Sequence, residues 1–474
     1  MSELEGLARA LASGRAGEDA LARAGAEDPA RALAAFAAAR ARARLAEGFE
    51  RWAEAALGTP RPAEAAEALV ALDAGGAAPP SALPVLARVL GTSAFLARLV
   101  LTRPALAADA APGGDGFPPS AAGEVAPSWE AIREAKYRGL LRIAARDAAA
   151  RPFRSSLGEL SDLADCCLAA ALACAAAECG VAPPTVLALG KLGGRELNFS
   201  SDVDLLFVYT SPGGVEADAA RNGEVARVVR ALRAGLEARG ELGFGYRVDL
   251  GLRPEGPTGP LANSVDAALD YYESFGAEWE RQALIRLRHV GGPEAPAREL
   301  AAGLEPFVWR RSISPAALHA VRAMKHRIER ERRSAGRDLD HDLKEGPGGI
   351  RDVEFLVQAL QLFVGGRDPS VRTGNVLDAL EALASAGALP PATAAALADA
   401  YVWLRRAEHA LQLDEERRTH TVPREARGQR ALARRMGYAD ADAESARVRL
   451  LDAWTAVRSE VRGHFDELLP GEAA

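Results

Sequence analysis

The stretch that decides the fold is LALGKLGGRELNFSSDVDLLFVY, which runs from Leu187 to Tyr209. It contains two short apolar runs of β-prone residues, and a glycine-rich turn separates them. Two aspartates, Asp202 and Asp204, enter the beginning of the second run. A buried strand does not tolerate two carboxylates unless another group compensates their charge. The rest of the chain must therefore supply that compensation.

The composition limits the class of protein. The chain has 474 residues, of which 49% are hydrophobic, and a chain of this length divides into about two to four domains. Its net charge of −7 gives no support for a protein that coats nucleic acid, so we expect no nucleic-acid partner. No leader peptide and no apolar run long enough to span a bilayer is evident. We therefore expect a cytoplasmic protein without a membrane partner.

Changes in composition predict three regions. Residues 1–128 are predicted to be helical, with an interruption at Gly75–Pro80 and a Pro/Gly-rich linker from Ala107 to Ser128. Residues 129–310 combine helices with short apolar strands, and residues 311–474 have the periodicity of a helical bundle. The predicted fold class is α+β, with a small mixed sheet between helical flanks.

The four cysteines fall in one alanine-rich helical segment, and no histidine lies nearby to complete a zinc site. Buried thiols on a helix are the simpler interpretation. These residues are Cys166, Cys167, Cys174 and Cys179.

The spacing of Asp202 and Asp204 places both side chains on one face of a strand. Asp249 lies in a later strand, in the sequence YRVDLGL, with apolar neighbours on both sides. Three carboxylates on adjacent strands would repel one another. Divalent cations with oxygen ligands are the natural compensation, and Mg²⁺ usually serves where phosphates complete its coordination. We therefore predict that Asp202, Asp204 and Asp249 are catalytic metal ligands.

The glycine-rich turn can bring backbone N–H groups close to phosphate oxygens. It matches neither G-x-x-x-x-G-K-[ST] nor G-x-G-x-x-G, so a Walker A loop and a dinucleotide fold gain no support. Lys191 and Arg195 lie within the turn as candidate phosphate contacts. The residues that we predict to bind nucleotide or phosphate here are Gly190, Lys191, Gly193, Gly194, Arg195 and Ser201.

A strand, a glycine loop, S-D-x-D on the next strand and a later aspartate form the arrangement of DNA polymerase β-like nucleotidyltransferases. In such a site two metal ions clamp the attacking and leaving oxygens. The alternative is that Ser201 and Asp202 only begin a strand, which is the usual role of an isolated D-x-D. The preceding glycine loop and Asp249 favour the catalytic interpretation.

Two arginines are further candidates for nucleotide binding. Arg253 follows Asp249 and could reach a phosphate, or it could hold the aspartate in a salt bridge. Arg351 follows the helix-breaking EGPGG and begins a predicted helix, where a cation is unfavourable. It therefore needs a partner, which could be a nucleotide, a carboxylate of the site or Glu354. The segment Glu278–Val290 is predicted to be a helix. Its Glu280 and Arg281 could line the site, but a solvated ion-pair face is the favoured interpretation.

Four stretches together resemble the glutamine synthetase adenylyltransferase family, whose bifunctional members adenylylate and deadenylylate glutamine synthetase. They are LGKLGGRELNFSSDVDLLFVY, YRVDLGLRPEGPTGPL, DYYESFGAEWERQALIRLRHVGG and GPGGIRDVEFLVQ. Members of the family have two nucleotidyltransferase cores, whereas this sequence has one. The motifs GGRELNFSSD and GGIRDVEF resemble the N-terminal, adenylyl-removing half.

The resemblance implies a Mg²⁺-dependent phosphorolysis, in which inorganic phosphate attacks the adenylyl phosphorus on a glutamine synthetase tyrosine and ADP leaves. It also implies a nucleotidyltransferase core within residues 129–310, control of nitrogen metabolism, and regulation by the signal protein PII. Two alternatives remain open. The chain could instead transfer AMP from ATP to glutamine synthetase, or it could be a non-catalytic regulatory module.

Overall fold

The computed structural model describes residues 3–74, 80–110, 125–148, 152–311, 315–438 and 442–469. Most of the predicted linker, residues 111–124, and most of the predicted interruption, residues 75–79, lie outside the described residues. The boundaries after residues 128 and 310 stay a prediction.

Helices make up most of the described chain, and four short 3₁₀ helices connect them, at Pro80–Ala82, Pro104–Ala110, Gly256–Thr258 and Pro369–Val371. The α-helices are α1 Glu3–Ala12, α2 Glu18–Arg23, α3 Pro29–Arg40, α4 Ala43–Ala46, α5 Phe49–Leu57, α6 Pro62–Ala74, α7 Leu83–Thr92, α8 Ala94–Thr102, α9 Trp129–Ala148, α10 Phe153–Cys179, α11 Gly190–Gly193, α12 Val215–Glu237, α13 Val265–Ser274, α14 Glu278–Leu284, α15 Glu294–Val308, α16 Pro315–Ser334, α17 Ile350–Gly365, α18 Val376–Ser385, α19 Pro391–Glu415, α20 Ala426–Arg435 and α21 Ala443–Leu468.

A mixed sheet of five strands lies among these helices, which confirms the predicted α+β class. Its strands are β1 Thr185–Leu189, β2 Val203–Tyr209, β3 Val248–Asp249, β4 Asn263–Ser264 and β5 Arg288–Gly291. The order is β3-β2-β1-β5, and β4 also pairs with β2. β1 is antiparallel to β2 and to β5, whereas β2 is parallel to β3 and β4. The predicted strands around the glycine-rich turn are therefore neighbours in the sheet.

Both faces of the central strands are buried, which explains their nearly continuous apolar sequence. Alternate residues of β2 pack into different cores. Leu205 and Phe207 join the core formed with the N-terminal helices, α10 and α12. Leu206 and Val208 join a smaller core with α13 and α15. Within β2, Asp204 is the one residue that is not fully buried.

The last five helices, α17 to α21, form a core of their own, which runs from Leu343 to Leu469. The polar residue Asn375 begins α18, where its side chain accepts hydrogen bonds from the Leu377 and Asp378 N–H groups. This agrees with the helical bundle predicted for the C-terminal part. Helix α17 begins at Ile350, directly after the predicted break.

The helix α10 carries the four cysteines, all of which are free thiols, and three of which are buried. It has the length and hydropathy of a membrane-spanning helix, contrary to the expectation that no segment does. However, 72% of its most apolar window is buried inside the protein, as in the central helix of a packed core.

The prediction of one helix over Glu278–Val290 is wrong. Helix α14 ends at Leu284, and the chain then enters β5 at Arg288. The predicted solvated face is also wrong, because Glu280 and Arg281 are both 2% exposed. The Arg281 guanidinium donates to the Phe307 carbonyl at 2.5 Å, so its charge serves the packing of α14 against α15.

Candidate active site

Two aspartates meet at one edge of the sheet. The parallel pairing of β2 and β3 sets Asp204 directly beside Asp249. Both carboxylates line a cavity of about 390 Å³ that lies between the sheet and the C-terminal bundle. Asp249 accepts a hydrogen bond from the Gly251 N–H group at 2.8 Å. The strand register therefore places the two carboxylates side by side, as the sequence predicts.

The Asp204 carboxylate has no bonded partner in the part of the chain that the structure describes. Among the described residues, none donates a hydrogen bond to it and none forms an ion pair with it. Burial raises its pKa to about 6, and the negative charge of Asp249 adds to this effect. The positive charges of Lys344 and Lys191 act in the opposite direction. Asp204 is thus a carboxylate whose charge the protein leaves largely uncompensated.

Gly190 makes room for this carboxylate. Its φ is +54°, in the left-handed region that glycine adopts without strain. A Cβ atom at this position would lie 2.1 Å from Oδ2 of Asp204. The first glycine of the turn is therefore required both by the backbone conformation and by the space that Asp204 occupies.

Asp202 lies just before β2 and has a different environment. Its Oδ1 accepts from Nε of Arg247 at 2.6 Å. Its Oδ2 forms an ion pair with Nη1 of Arg418, which lies in the loop after α19. Both oxygens are therefore engaged by arginines, although the carboxylate lines the same cavity as Asp204.

Cations from four separate segments complete the cavity wall, one of which is Arg286 from the turn between α14 and β5. Lys191 comes from the glycine-rich turn, Lys344 and Arg351 come from the segment before and at the start of α17, and Arg418 comes from the loop after α19. Lys344 Nζ has no hydrogen-bond or ion-pair partner among the described residues, whereas Arg351 donates to Glu345 at 2.8 Å. The full lining consists of Gly190, Lys191, Ser201, Asp202, Asp204, Asp249, Gly251, Leu252, Arg286, Lys344, Arg351, Glu354, Glu408, Gln412, Arg418 and His420.

A network of buried ion pairs and hydrogen bonds connects α19 to the segment between β1 and β2. Glu408 of α19 accepts from Lys191 Nζ at 2.7 and 2.9 Å and also from the Asn198 amide. Arg405, on the same helix, bonds to the Glu196 carbonyl and to Asn198. Burial would raise the pKa of Glu408, but Lys191 and Arg405 outweigh it and lower the pKa to about 2.

The same network sets the charge of Lys191. Burial lowers its pKa to about 8, and the attraction of Glu408 limits the decrease. Arg286 links a second pair of acids, with ion pairs to Glu354 at 3.1 Å and to Glu196 at 3.2 Å. These cations are held in place by carboxylates of the protein, and Lys191 still reaches the cavity.

Of the predicted site residues, seven line this cavity, namely Gly190, Lys191, Ser201, Asp202, Asp204, Asp249 and Arg351. Gly193 and Gly194 do not. A Cβ atom on Gly193 would lie 1.9 Å from the Arg286 carbonyl oxygen, and one on Gly194 would lie 2.7 Å from that of Gly374. In the structure these two glycines permit close backbone packing rather than an approach to the carboxylates.

Arg195 and Arg253 also lie away from the cavity. Arg195 turns outward and forms an ion pair with Asp162. Arg253 is 7% exposed, and its guanidinium donates to the Leu250, Pro257, Gly259 and Pro260 carbonyls of its own loop. Arg253 forms no salt bridge to Asp249 in the part of the chain that the structure describes, and its predicted role in phosphate binding stays a prediction.

Four charged residues that line the cavity were not predicted from the sequence, namely Lys344, Glu408, Arg418 and Arg286. Lys344 could have been identified from the sequence, because it immediately precedes the helix-breaking EGPGG, the same motif that made Arg351 a candidate. Glu408 and Arg418 lie in and after an ordinary amphipathic helix. No local pattern separates them from surface charges.

The donor chemistry allows a test of whether the predicted Mg²⁺ fits. Asp204 and Asp249 offer adjacent carboxylate oxygens, which are the ligands that Mg²⁺ prefers. Asp202 does not fit as placed, because arginines engage both of its oxygens. In the part of the chain that the structure describes, no three His, Cys, Asp or Glu side chains form a ready-made metal site. The geometry therefore fits a cation at the Asp204–Asp249 pair.

Comparisons with known proteins show which families this chain resembles. Residues 84–302 match the family model described as glutamate-ammonia ligase adenylyltransferase, and residues 321–469 match the one described as GlnD PII-uridylyltransferase. The bifunctional glutamine synthetase adenylyltransferase/adenylyl-removing enzyme of Thioalkalivibrio sulfidiphilus is 38% identical over 75% of this chain and 39% of its own length. Its counterpart in Nitrosococcus oceani is 39% identical over 71% of this chain and 36% of its own length.

A third relative, from Xanthobacter autotrophicus, carries the same name and is 38% identical over 74% of this chain and 37% of its own length. The matched part of this chain thus spans about two fifths of the length of each of these relatives. These matches confirm the resemblance that the motifs indicate, and the chain is a relative of the bifunctional glutamine synthetase adenylyltransferase/adenylyl-removing enzymes.

Proposed function

We propose that this chain removes AMP from adenylylated glutamine synthetase by phosphorolysis, with inorganic phosphate as the nucleophile and ADP as the product. The observation that carries the proposal is the cavity in which the uncompensated pair Asp204–Asp249 lies opposite Lys191, Lys344 and Arg351. Carboxylates that hold a cation and side chains that hold phosphates are the two requirements of phosphoryl transfer.

In this proposal the two halves of the cavity have separate tasks. Asp204 and Asp249 would hold Mg²⁺, which when bound neutralises charge that develops on the phosphoryl oxygens. Lys344 Nζ has no bonded partner among the described residues, so its ammonium group is available to a phosphate. Lys191 and Arg351 are fixed by Glu408 and Glu345, and this fixation orients their charge before the substrate binds.

The proposed reaction exchanges one phosphorus–oxygen bond for another. An oxygen of inorganic phosphate forms a bond to the adenylyl phosphorus, and the bond from that phosphorus to the tyrosine oxygen breaks. The tyrosine oxygen takes up the proton that the attacking hydrogen phosphate gives up, and ADP departs. The work of the protein is to position the two phosphate groups in line and to stabilise their charge.

The direction is the finer part of the proposal. The motif GGRELNFSSD supports the adenylyl-removing direction, because it resembles the N-terminal half of the family. The same residues would serve adenylyl transfer from ATP, since that reaction exchanges only the nucleophile and the leaving group. The match of residues 321–469 to a PII-uridylyltransferase family supports regulation linked to PII as a further part of the proposal.

An assay of ADP release tests the proposal. Adenylylated glutamine synthetase is incubated with the chain and Mg²⁺, with and without inorganic phosphate. We expect ADP to appear only with phosphate, in an amount equal to the unmodified tyrosine that is formed. AMP incorporation from ATP into unmodified glutamine synthetase, without phosphate-dependent ADP release, would show that the direction is wrong. Absence of both activities would contradict the enzymatic proposal.

A further inference from the structure

The two arginines on Asp202 are held very differently. Arg247 also donates to the Ser200 carbonyl at 2.6 Å, and its guanidinium lies 5.4 Å from the centre of the Phe244 ring. Arg418 has no other bonded partner among the described residues, and its side chain is 57% exposed. Arg247 is therefore a fixed partner of Asp202, whereas Arg418 can leave the carboxylate without breaking any other contact.

The backbone that presents Arg418 is anchored by three consecutive acids at the end of α19. Acidic residues at a helix C-terminus are unfavourable because they meet the negative end of the helix dipole. The structure gives each acid a cation from the N-terminal helices or their connections. The pairs are Asp414 with Arg61, Glu415 with Arg98, and Glu416 with Lys136.

Glu416 is the firmest of these anchors. Its φ of +52° is strained for a residue other than glycine, and such strain persists only where surrounding contacts impose it. Its partner Lys136 is fully buried and lies 4.2 Å from the centre of the Phe244 ring. The chain is therefore fixed two residues before Arg418, and the exposed Arg418 side chain extends from this fixed point into the cavity.

We infer that Arg418 is a phosphate-binding residue of the site, and that its guanidinium and a divalent cation compete for the Asp202 carboxylate. This inference rests on the proposed function. Arg418 and a metal ion are both cations, so each repels the other from Asp202, whose two oxygens already contact Arg247 and Arg418. A cation that takes Oδ2 of Asp202 releases Arg418 within the same cavity, where its N–H groups can donate to phosphate oxygens.

The inference joins two binding events. A phosphate that withdraws Arg418 frees Asp202 for the cation, and a cation that displaces Arg418 frees it for the phosphate. Because coupling of binding free energies is reciprocal, each ligand must strengthen the binding of the other. Asp202, which does not fit as a metal ligand while Arg418 holds it, joins Asp204 and Asp249 only after this exchange.

The test compares Arg418→Ala with Arg417→Ala in the full chain. Arg417 is the exposed neighbour and lacks an ion pair with Asp202, so the control removes the same charge next to the site. The free Mn²⁺ signal in electron paramagnetic resonance reports cation binding without any substrate, and Asp204→Asn serves as the reference for a damaged site. Binding of inorganic phosphate is then titrated by ³¹P NMR with Mg²⁺ present.

Removal of the competing guanidinium should tighten Mn²⁺ binding by about threefold to fivefold in Arg418→Ala. The same variant should bind inorganic phosphate about tenfold more weakly, because it loses charge-assisted hydrogen bonds. Arg417→Ala should change neither affinity. Unchanged or weaker Mn²⁺ binding in Arg418→Ala, or an equal gain in Arg417→Ala, would overturn the inference, as would unchanged phosphate binding.

The proposed function can fail separately. If wild-type protein binds no Mn²⁺, or if Asp204→Asn binds it equally well, the cation site is wrong and both proposals fall. If phosphate-dependent ADP release is observed while Arg418→Ala leaves both affinities unchanged, the inference about Arg418 is wrong and the proposed function stands.

Discussion

The strand edge at Asp204 and Asp249 and the network around Glu408 are both built from charged side chains, but only the second has its charges paired. Glu408 contacts Lys191, Arg405 and Asn198. Asp204 has no bonded partner among the described residues, and burial with the charge of Asp249 raises its pKa. The charges around Glu408 therefore connect the bundle to the sheet, whereas the charge of Asp204 is left without a bonded partner among the described residues and is available to a ligand.

The two regions should therefore respond differently to substitution. A paired buried charge leaves its partners uncompensated when it is removed, so its loss lowers stability. A carboxylate that is repelled by its neighbour can be neutralised without loss of stability, but its ligand then has nothing to bind. The following variants test this distinction, from the largest expected effect to the smallest.

Asp204→Asn should lower turnover by about a thousandfold, because it removes a ligand of the cation that stabilises the transition state. Its free energy of unfolding should equal or exceed that of the wild type at pH 7, since the repulsion from Asp249 is relieved. ADP release and urea denaturation measure the two effects. Asp270→Asn, on the exposed side of α13, is the control and should change neither. Near-wild-type turnover in Asp204→Asn would contradict the assignment of the strand edge.

Glu408→Gln should lower the free energy of unfolding by about 3 kcal/mol, because Lys191 and Arg405 would remain buried without their counter-charge. Urea denaturation measures this loss. The exposed substitution Glu299→Gln on α15 is the control, with an expected change within about 0.5 kcal/mol. Equal stability of the two variants would show that the network contributes no more than surface charges do.

Gly190→Ala and Gly180→Ala form a matched pair, because both glycines have a left-handed backbone, with φ of +54° and +63°. Each substitution should cost about 1 kcal/mol in stability. A Cβ at Gly180 meets nothing within 4 Å, whereas one at Gly190 would lie 2.1 Å from Asp204 Oδ2. Turnover should therefore fall by about a hundredfold in Gly190→Ala alone. Equal turnover in both variants would show that the close approach of Gly190 to Asp204 does not affect activity.

The pH dependence of turnover should have two limits, near the pKa of about 6 of Asp204 and that of about 8 of Lys191. Below the first, a proton competes with the cation for Asp204, and Mn²⁺ affinity should fall by about tenfold per pH unit. Above the second, Lys191 loses the charge that attracts phosphate. Asp249→Asn removes a negative charge that raises the pKa of Asp204, so the lower limit of Mn²⁺ binding should move to lower pH. An unshifted limit would contradict the assignment of this limit to Asp204.

The raised pKa of Asp204 also affects the stability of the fold. Cation binding weakens as pH falls, whereas the contribution of Asp204 to folding weakens as pH rises. The folded protein holds the Asp204 proton more tightly than the unfolded chain does, so this residue favours folding below the unfolded pKa of about 4. That contribution is lost as pH rises through about 6. The difference in unfolding free energy between wild type and Asp204→Asn, measured across this range, should therefore change in favour of the variant as pH rises.

The local sequence predicts the strand edge well. The apolar run that carries Asp204 and the apolar neighbours of Asp249 were sufficient to predict two adjacent strands, and the pairing of β2 with β3 places the two aspartates side by side. The segment after Leu284 was predicted to be helical, although Ile285 to Arg288, which lead into β5, alternate apolar and basic residues. That alternation is a period of two, which is the signal of a strand.

The other wall of the cavity could not be predicted in the same way. Glu408 and Arg418 are brought to the sheet by the packing of α19, which depends on contacts far apart in sequence. The choice of ion-pair partners also depends on that packing, so Arg253 and Arg195 seemed to be equal candidates with Arg351. Only Arg351 lies in the cavity. The sequence shows which residues are charged, but it does not show which of them pair with one another.

Location of a bound cation tests the central claim most directly. Crystals of the full chain grown with Mn²⁺ would be measured near the manganese absorption edge, and an anomalous difference map would give the position of the ion. The account predicts a peak in contact with carboxylate oxygens of both Asp204 and Asp249. A peak elsewhere in the molecule, or none at a concentration that saturates Mn²⁺ binding in solution, would contradict it.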